Sequence, residues 1–326
     1  MIGAVVIGRN EGERLVRCLD SLSGIGAIVY VDSGSTDGSV EAALAAGAEV
    51  VELNTTEPFT AARARNAGLA RLTEIAAVSL VQFVDGDCEL RSGWIQAASE
   101  FLNTHPLVAV VCGRRRERFP DASIYNRLCD LEWDTPCGQT KACGGDALMR
   151  VQPLIASGGY RSDLIAGEEP ELCVRLRSAG WQVWRLDHEM THHDAAMTRF
   201  GQWWTRTRRG GFAAAEAVAL HGAPPEYHGV QSALRAVAWA FAFPFLVLTA
   251  AIGLSPWALL LLALYPMQVV RLARKKGHPE RISWIWASSM VLGKFAEFAG
   301  IVGYLLARLT RRKMALIEYK EPAAPR

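Results

Sequence analysis

Along the first 115 residues, short apolar runs alternate with stretches in which apolar positions recur every three or four residues. The β-branched run "AVVIG" (4–8) predicts a buried strand. "NEGERLVRCLDSL" (10–22) places Leu15, Val16, Leu19 and Leu22 at helical spacing. The alternation continues with strands at 27–32, 48–53, 78–85 and 108–114. Between them come a Gly/Ser-rich turn feeding a helix (34–47, closed by Gly47), a helix at 59–72 with Thr60 as N-cap, and a helix at 93–106 that Pro106 helps to end. After residue 115 the pattern loosens. "GGDALMR" (144–150) and "ASGGYRSD" (156–163) read as turn-rich. A helix is expected at 168–181, with Leu172, Val174 and Leu176 apolar and Gly180 at its end, and a strand at 182–186. Strands alternating with helices imply a parallel-type sheet covered on both faces.

In such sheets ligands bind beyond the carboxyl ends of the strands. Asn10 and Glu11 follow the first strand, Asp32 closes the second, and Asp85 and Asp87 close the fourth. All fall on one edge, which points to a binding site rather than to capping alone. The Asp-Gly-Asp at 85–87 is the sharpest feature. Two carboxylates one residue apart repel, and each resists burial without a positive partner. Oxygen ligands suit a hard cation, so Mg2+ or Mn2+ carrying a diphosphate is the expected partner. Gly86 is expected to let the chain turn so that both carboxylates face it. Neither GxxxxGK[ST] nor a GxGxxG after the first strand is present.

The last third is different. Residues 237–254 run for 18 residues without a charge, and 255–270 follow after almost no loop, with Pro256 between them. This predicts a membrane hairpin. The basic stretch 271–281 then belongs on the cytoplasmic side. A third apolar segment, 282–309, holds Lys294 and Glu297 one turn apart, spaced to pair. It either spans or lies in the interface; spanning would put the basic 308–313 outside, against the positive-inside rule.

Composition adds little beyond this. A net charge of +2 gives no support for nucleic acid as a partner. Seven cysteines without a CxxC pair read as reduced thiols. The start "MIGAVVIG" lacks the features of a secretory leader, so the N-terminal part is expected in the cytoplasm.

Taken in order, "VVIGRNE", "VDSGSTDGS", "RARNAG", "VDGD", "GGDALMR" and "GGYRSDLIAGEEPELCVRLRSAGW" resemble the motifs of the family 2 glycosyltransferases over about residues 2–215. The resemblance implies the GT-A fold, an α/β Rossmann-like mixed sheet with helices on both faces, here followed by C-terminal membrane helices. The domain reading is 1–229 catalytic, 230–313 membrane-associated and 314–326 a polar tail. The resemblance also implies roles. Asp32 would contact the nucleobase or ribose, with Asn10, Glu11 and Asp37 lining the nucleotide pocket. Arg65 would lie near the diphosphate or Asp85. Asp85 would meet ribose and metal, and Asp87 would ligate the metal. Glu169 stands where the family has its base, usually Asp in a Glu-Asp pair, so Glu168 stays a second candidate. His193, rather than His192, would approach the metal or diphosphate; the alternative is a surface or capping histidine. Trp203, Trp204 and Arg206 resemble a family segment in altered order. Either tryptophan is a sugar platform, with an arginine gripping diphosphate, or both anchor the domain at the membrane.

The charge run 113–119 reads as a solvated strand edge, or as a contact for anionic lipid. Glu132, Trp133 and Asp134 lie where the acceptor could enter. The expected activity is metal-dependent inverting transfer from a nucleotide-diphosphate sugar to a lipid-linked or polysaccharide acceptor, at the cytoplasmic membrane face. The alternatives are an inactive membrane scaffold with this fold, and nucleotidyl transfer, which would show a Gly-rich basic loop after the first strand.

Overall fold

The computed structural model describes residues 1–275 and 280–310. The chain divides into two compact units, one spanning Met1–Thr198 and the other beginning at Arg199.

The first unit is built on one sheet. Its strands are β1 (Ile2–Gly8), β2 (Ala27–Asp32), β3 (Glu49–Glu52), β4 (Leu80–Asp85), β5 (Cys88–Leu90), β6 (Val108–Glu117), β7 (Gly138–Thr140), β8 (Ala147–Arg150) and β9 (Gln182–His193). Their order is β3-β2-β1-β4-β8-β6-β9-β5, with β7 pairing on β9. The first four strands are mutually parallel. β8 is antiparallel to both β4 and β6, so the sheet is mixed. The helices are α1 (Glu13–Ser21), α2 (Ser39–Ala45), α3 (Ala61–Ile75), α4 (Trp94–Thr104), α5 (Ile124–Trp133), α6 (Val151–Ala156) and α7 (Glu168–Ser178). The core between sheet and helices is continuous, from Val5, Tyr30 and Phe83 to Trp94, Leu148 and Leu172, all fully buried. Thr60 caps α3 by accepting the Arg63 N–H.

Three departures from the sequence expectation bear on the site. The stretch 144–150 contains β8, because a four-residue buried strand leaves too short a pattern to read. β9 runs on to His193, its polar residues half-exposed as far as Glu189 while Thr191 and His193 are buried, which hides the strand pattern. The charge run 113–119 is no solvated edge: β6 is an inner strand, and Arg115 and Glu117 point into the protein. Gly86 also has another reason. Its N–H donates to the Ile7 carbonyl, and a Cβ there would stand 3.2 Å from that oxygen. Close approach of β4's end to β1 demands the glycine.

The second unit is helical: α8 (Phe200–His221), α9 (Val230–Gly253), α10 (Pro256–Lys275) and α11 (Glu280–Leu309). In α9 a π-helical turn at Ala238–Ala242 precedes Pro244, which has no N–H to continue the regular ladder. Lengths and composition of α9, α10 and most of α11 suit membrane spans. α8 runs alongside α11 at very close range. A Cβ on Gly211 would fall onto the Glu297 carbonyl, and one on Gly300 onto that of Arg208. Trp203 is buried beside Gly293, and the Lys294 ammonium pairs with both oxygens of Glu297 at 2.7 Å. The basic stretch 271–281 is described only in part, and the tail 314–326 lies outside the described residues.

Candidate active site

The carboxyl ends of β1, β2 and β4 carry the side chains that their sequence positions suggested. After β1, Asn10 takes a positive φ of 55° and its Oδ1 accepts the Thr36 N–H at 2.8 Å. Its own N–H donates to Ser35 Oγ. Asp32 Oδ2 accepts the N–H groups of Gly34 and Ser35, both at 2.8 Å, and its Oδ1 accepts the Tyr30 hydroxyl. Asp37 accepts from Ser39 at the start of α2. Glu11 pairs with Arg14 at 2.9 Å. These side chains therefore shape the two loops at the edge of the sheet.

Arg65, buried on α3, is the hub of the next layer. Its Nη2 reaches Asp85 Oδ1 at 2.8 Å, and its Nη1 reaches Glu168 at 2.8 Å and Glu169 at 3.0 Å. One guanidinium thus joins the first aspartate of the Asp-Gly-Asp turn to the acidic pair opening α7. Burial works against its charge, but Glu169, Asp85 and Glu168 outweigh that and hold it protonated. The ring of Tyr160 lies beneath it, 5.6 Å from ring centroid to guanidinium carbon. Glu168 and Glu169 sit in the first helical turn after Gly167, where the helix dipole favours anions. Even so, the Glu169 carboxyl is pushed up to about 7, first by burial and then by the neighbouring Glu168 charge; Arg65 opposes this.

Asp85 faces cations on both sides, with Arg115 3.7 Å from its other oxygen. Arg115 itself pairs with Asp146 at 2.7 Å. Asp146 is fully buried and also accepts the Asp85 N–H and the Thr191 hydroxyl. It pins the turn in place. Asp146 belongs to the "GGD" motif, but its role is not apparent from the motif itself; its signal in the sequence is an acidic residue directly before an apolar strand. Arg115 was hidden inside a run of charges.

Asp87 points elsewhere. Antiparallel pairing of β5 with β9 sets Cys88 opposite His193. Asp87 Oδ2 and His193 Nε2 then lie 3.3 Å apart. The Trp133 and His193 rings meet nearly at right angles, 4.7 Å apart between centroids. His192 points to Glu189 instead. Ligands at about 2.1 Å and right angles around an octahedral ion stand roughly 3.0 Å apart, so this carboxylate and imidazole fit two adjacent positions around Mg2+ or Mn2+. Trp203, Trp204 and Arg206 belong to the second unit, on α8.

Residues 4–145 match the family model described as glycosyl transferase family 2. This is a family 2 glycosyl transferase domain. The fold of the transferase agrees. A mannosyltransferase from Pyrobaculum calidifontis, solved in complex with GDP-Man and Mn2+, matches with a TM-score of 0.65 at 20% identity, over 93% of this chain and 86% of that one. Glucosyl-3-phosphoglycerate synthase from Mycobacterium tuberculosis, in complex with phosphoglyceric acid, matches with a TM-score of 0.50 at 19% identity, over 69% and 81%. No curated protein matches the transferase in sequence.

Proposed function

We propose that this glycosyltransferase moves a sugar, with inversion, from a nucleotide-diphosphate sugar to a lipid-linked or polysaccharide acceptor at the cytoplasmic face of a membrane. One observation carries the reading. The sheet edge presents a carboxylate–imidazole pair fit for a divalent ion, and Arg65 ties the adjoining turn to a carboxylate whose pKa stands near neutrality.

In this reading Asp87 and His193 hold Mg2+ or Mn2+, with Asp85 beside them. The ion, when bound, neutralises charge on the departing nucleoside diphosphate. Asn10, Glu11, Asp32 and Asp37 form the rim of the nucleotide pocket. Glu169 takes the proton from the acceptor hydroxyl as its oxygen attacks the anomeric carbon. A carboxylate titrating near 7 is both unprotonated and basic enough for that task. Glu168, more deeply buried on the same arginine, sets the charge beside the base. Inversion needs only this single base.

Membrane attachment rests on α9 and α10, long and apolar enough to cross and return. The basic residues Arg274 and Lys275 end α10, and the positive-inside rule supports a cytoplasmic position for that end. Burial of Trp203 beside Gly293 favours anchoring within the helical unit over a sugar platform for that residue.

The test is a thermal-shift screen of nucleotide sugars with Mn2+, followed by nucleoside-diphosphate release. A donor that raises the melting temperature only with metal fixes the nucleotide. Asp87→Ala should abolish the metal-dependent shift. A shift and turnover unaffected by Asp87→Ala would sink the assignment.

A further inference from the structure

His193 is held between two carboxylates by strand register. β9 pairs with β5 on one side, setting Cys88 opposite His193, and with β6 on the other, setting Glu117 opposite the same residue. The ring accordingly turns one nitrogen to each neighbour. Nε2 lies 3.3 Å from Asp87 Oδ2, and Nδ1 lies 3.7 Å from Glu117 Oε2. Nδ1 is buried and has no hydrogen-bond partner among the described residues.

Glu117 is itself inside the protein, only 4% exposed. Its Oε1 accepts the Phe119 N–H and an Asn126 amide hydrogen. Its Oε2 accepts the Ala195 N–H. These donors lock the carboxylate from behind and leave Oε2 facing the imidazole. The Arg118 N–H to His193 carbonyl bond holds the backbone, and the Trp133 ring, nearly perpendicular to the imidazole, packs against it. Closing the Nδ1 gap to hydrogen-bond length takes a movement of about 0.7 Å.

We propose that Glu117 is a positioning residue for His193: it accepts the Nδ1–H, which leaves the Nε2 lone pair directed at a divalent cation shared with Asp87. A carboxylate behind a ligating imidazole fixes both tautomer and ring orientation and makes the nitrogen a stronger ligand. The proposal rests on the reading of Asp87 and His193 as a cation pair. Glu117 has no contact with the ion in this arrangement, and it acts only through the ring.

The experiment titrates Mn2+ into the detergent-solubilised full chain, alone and with UDP or GDP, following the EPR signal of unbound Mn2+. Glu117→Gln should weaken Mn2+ binding about 10- to 100-fold. Glu117→Asp, which keeps the charge, should recover part of the loss. Mn2+ binding by Glu117→Gln within about twofold of the unaltered chain, while His193→Ala loses it, overturns the proposal but spares the metal site. Full retention by His193→Ala overturns both. Because Glu117 also holds its loop, a second measurement needs no variant at that position. In the unaltered protein with Mg2+, 15N spectra of labelled histidine should show His193 as the Nδ1–H tautomer, assigned by its loss in His193→Ala. An Nε2–H tautomer would refute the positioning role.

Discussion

Replacing Glu168 by Gln should move the acid limb of the pH–rate profile toward lower pH. Both carboxylates of the pair reach the same Arg65 Nη1, at 2.8 and 3.0 Å, so their nearest oxygens are at most about 5.8 Å apart. Two unit charges at that spacing repel by about 0.7 to 3 kcal/mol for effective dielectric constants between 80 and 20. This corresponds to about 0.5 to 2 pKa units. Burial, the larger cause of the Glu169 shift, stays in place in the variant. The limb should therefore fall from about 7 to roughly 6 and stop above the usual carboxylate range. The base works unprotonated, so the rate climbs with pH through the limb in both proteins. At pH 6, measured against its own plateau, Glu168→Gln should be about fivefold more active than the unaltered enzyme. The assay is nucleoside-diphosphate release at saturating donor between pH 5.5 and 9. Stability carries the same signature with the opposite slope. A carboxyl raised in the folded state favours the protonated fold, so its contribution is present at low pH and lost as pH rises through about 7. A limb that does not move in Glu168→Gln, or undiminished transfer by Glu169→Gln, would refute the assignment of Glu169 as the base.

Three other substitutions probe the frame around the site. A Cβ at Gly145 would stand 2.6 Å from Arg65 Nη2 and 2.7 Å from Asp85 Oδ2, so Gly145→Ala should part that ion pair and lower initial rates at least tenfold, while far-UV circular dichroism stays unchanged. Asp146→Asn removes the nearer of the two anions facing the buried Arg115 and leaves only Asp85 at 3.7 Å; a loss of about 3 kcal/mol in chemical denaturation is expected, against almost none for Asp187→Asn on an exposed pair. Gly300→Ala forces α11 away from the Arg208 carbonyl and should lower the melting temperature in detergent by on the order of 5 °C, with donor binding intact.

The parts of the molecule that could be read from sequence were those in which one period ran long enough. β1 to β4 and the helices between them stand where the pattern placed them, since β1, β2 and β4 are largely buried on both faces, the edge strand β3 is partly covered, and each helix buries one face. The edge carrying Asn10, Asp32 and Asp85 followed from the same alternation. What escaped was set by partners distant in sequence. Glu117 and Arg115 lie two apart on one face of β6, a strand signature hidden by the charges around them. α5 was missed because Asn126 and Asp130 are buried on its inner side and break the apolar stripe, although Ser123 caps its start. Asp146 acquires its importance only when antiparallel β8 slots between β4 and β6.

The glycine contact between α8 and α11 has a consequence for counting membrane crossings. Side by side at van der Waals range, the two helices share one depth. α8 brings Arg206, Arg208 and Arg209 abreast of the middle of α11, where Lys294 and Glu297 pair. Charge at mid-bilayer is strongly disfavoured, so that level belongs at the headgroups. The 12 residues of α11 from 281 to 292 extend only about 18 Å, short of a core about 30 Å thick. On this argument the third segment, although long and apolar enough to cross, is expected to lie along the surface, which would leave two crossings. Two crossings predict that fusions at the two ends of the chain report the same compartment. A reporter fused after Arg326 should be shielded in the same compartment as one fused before Met1; opposite compartments would mean three crossings.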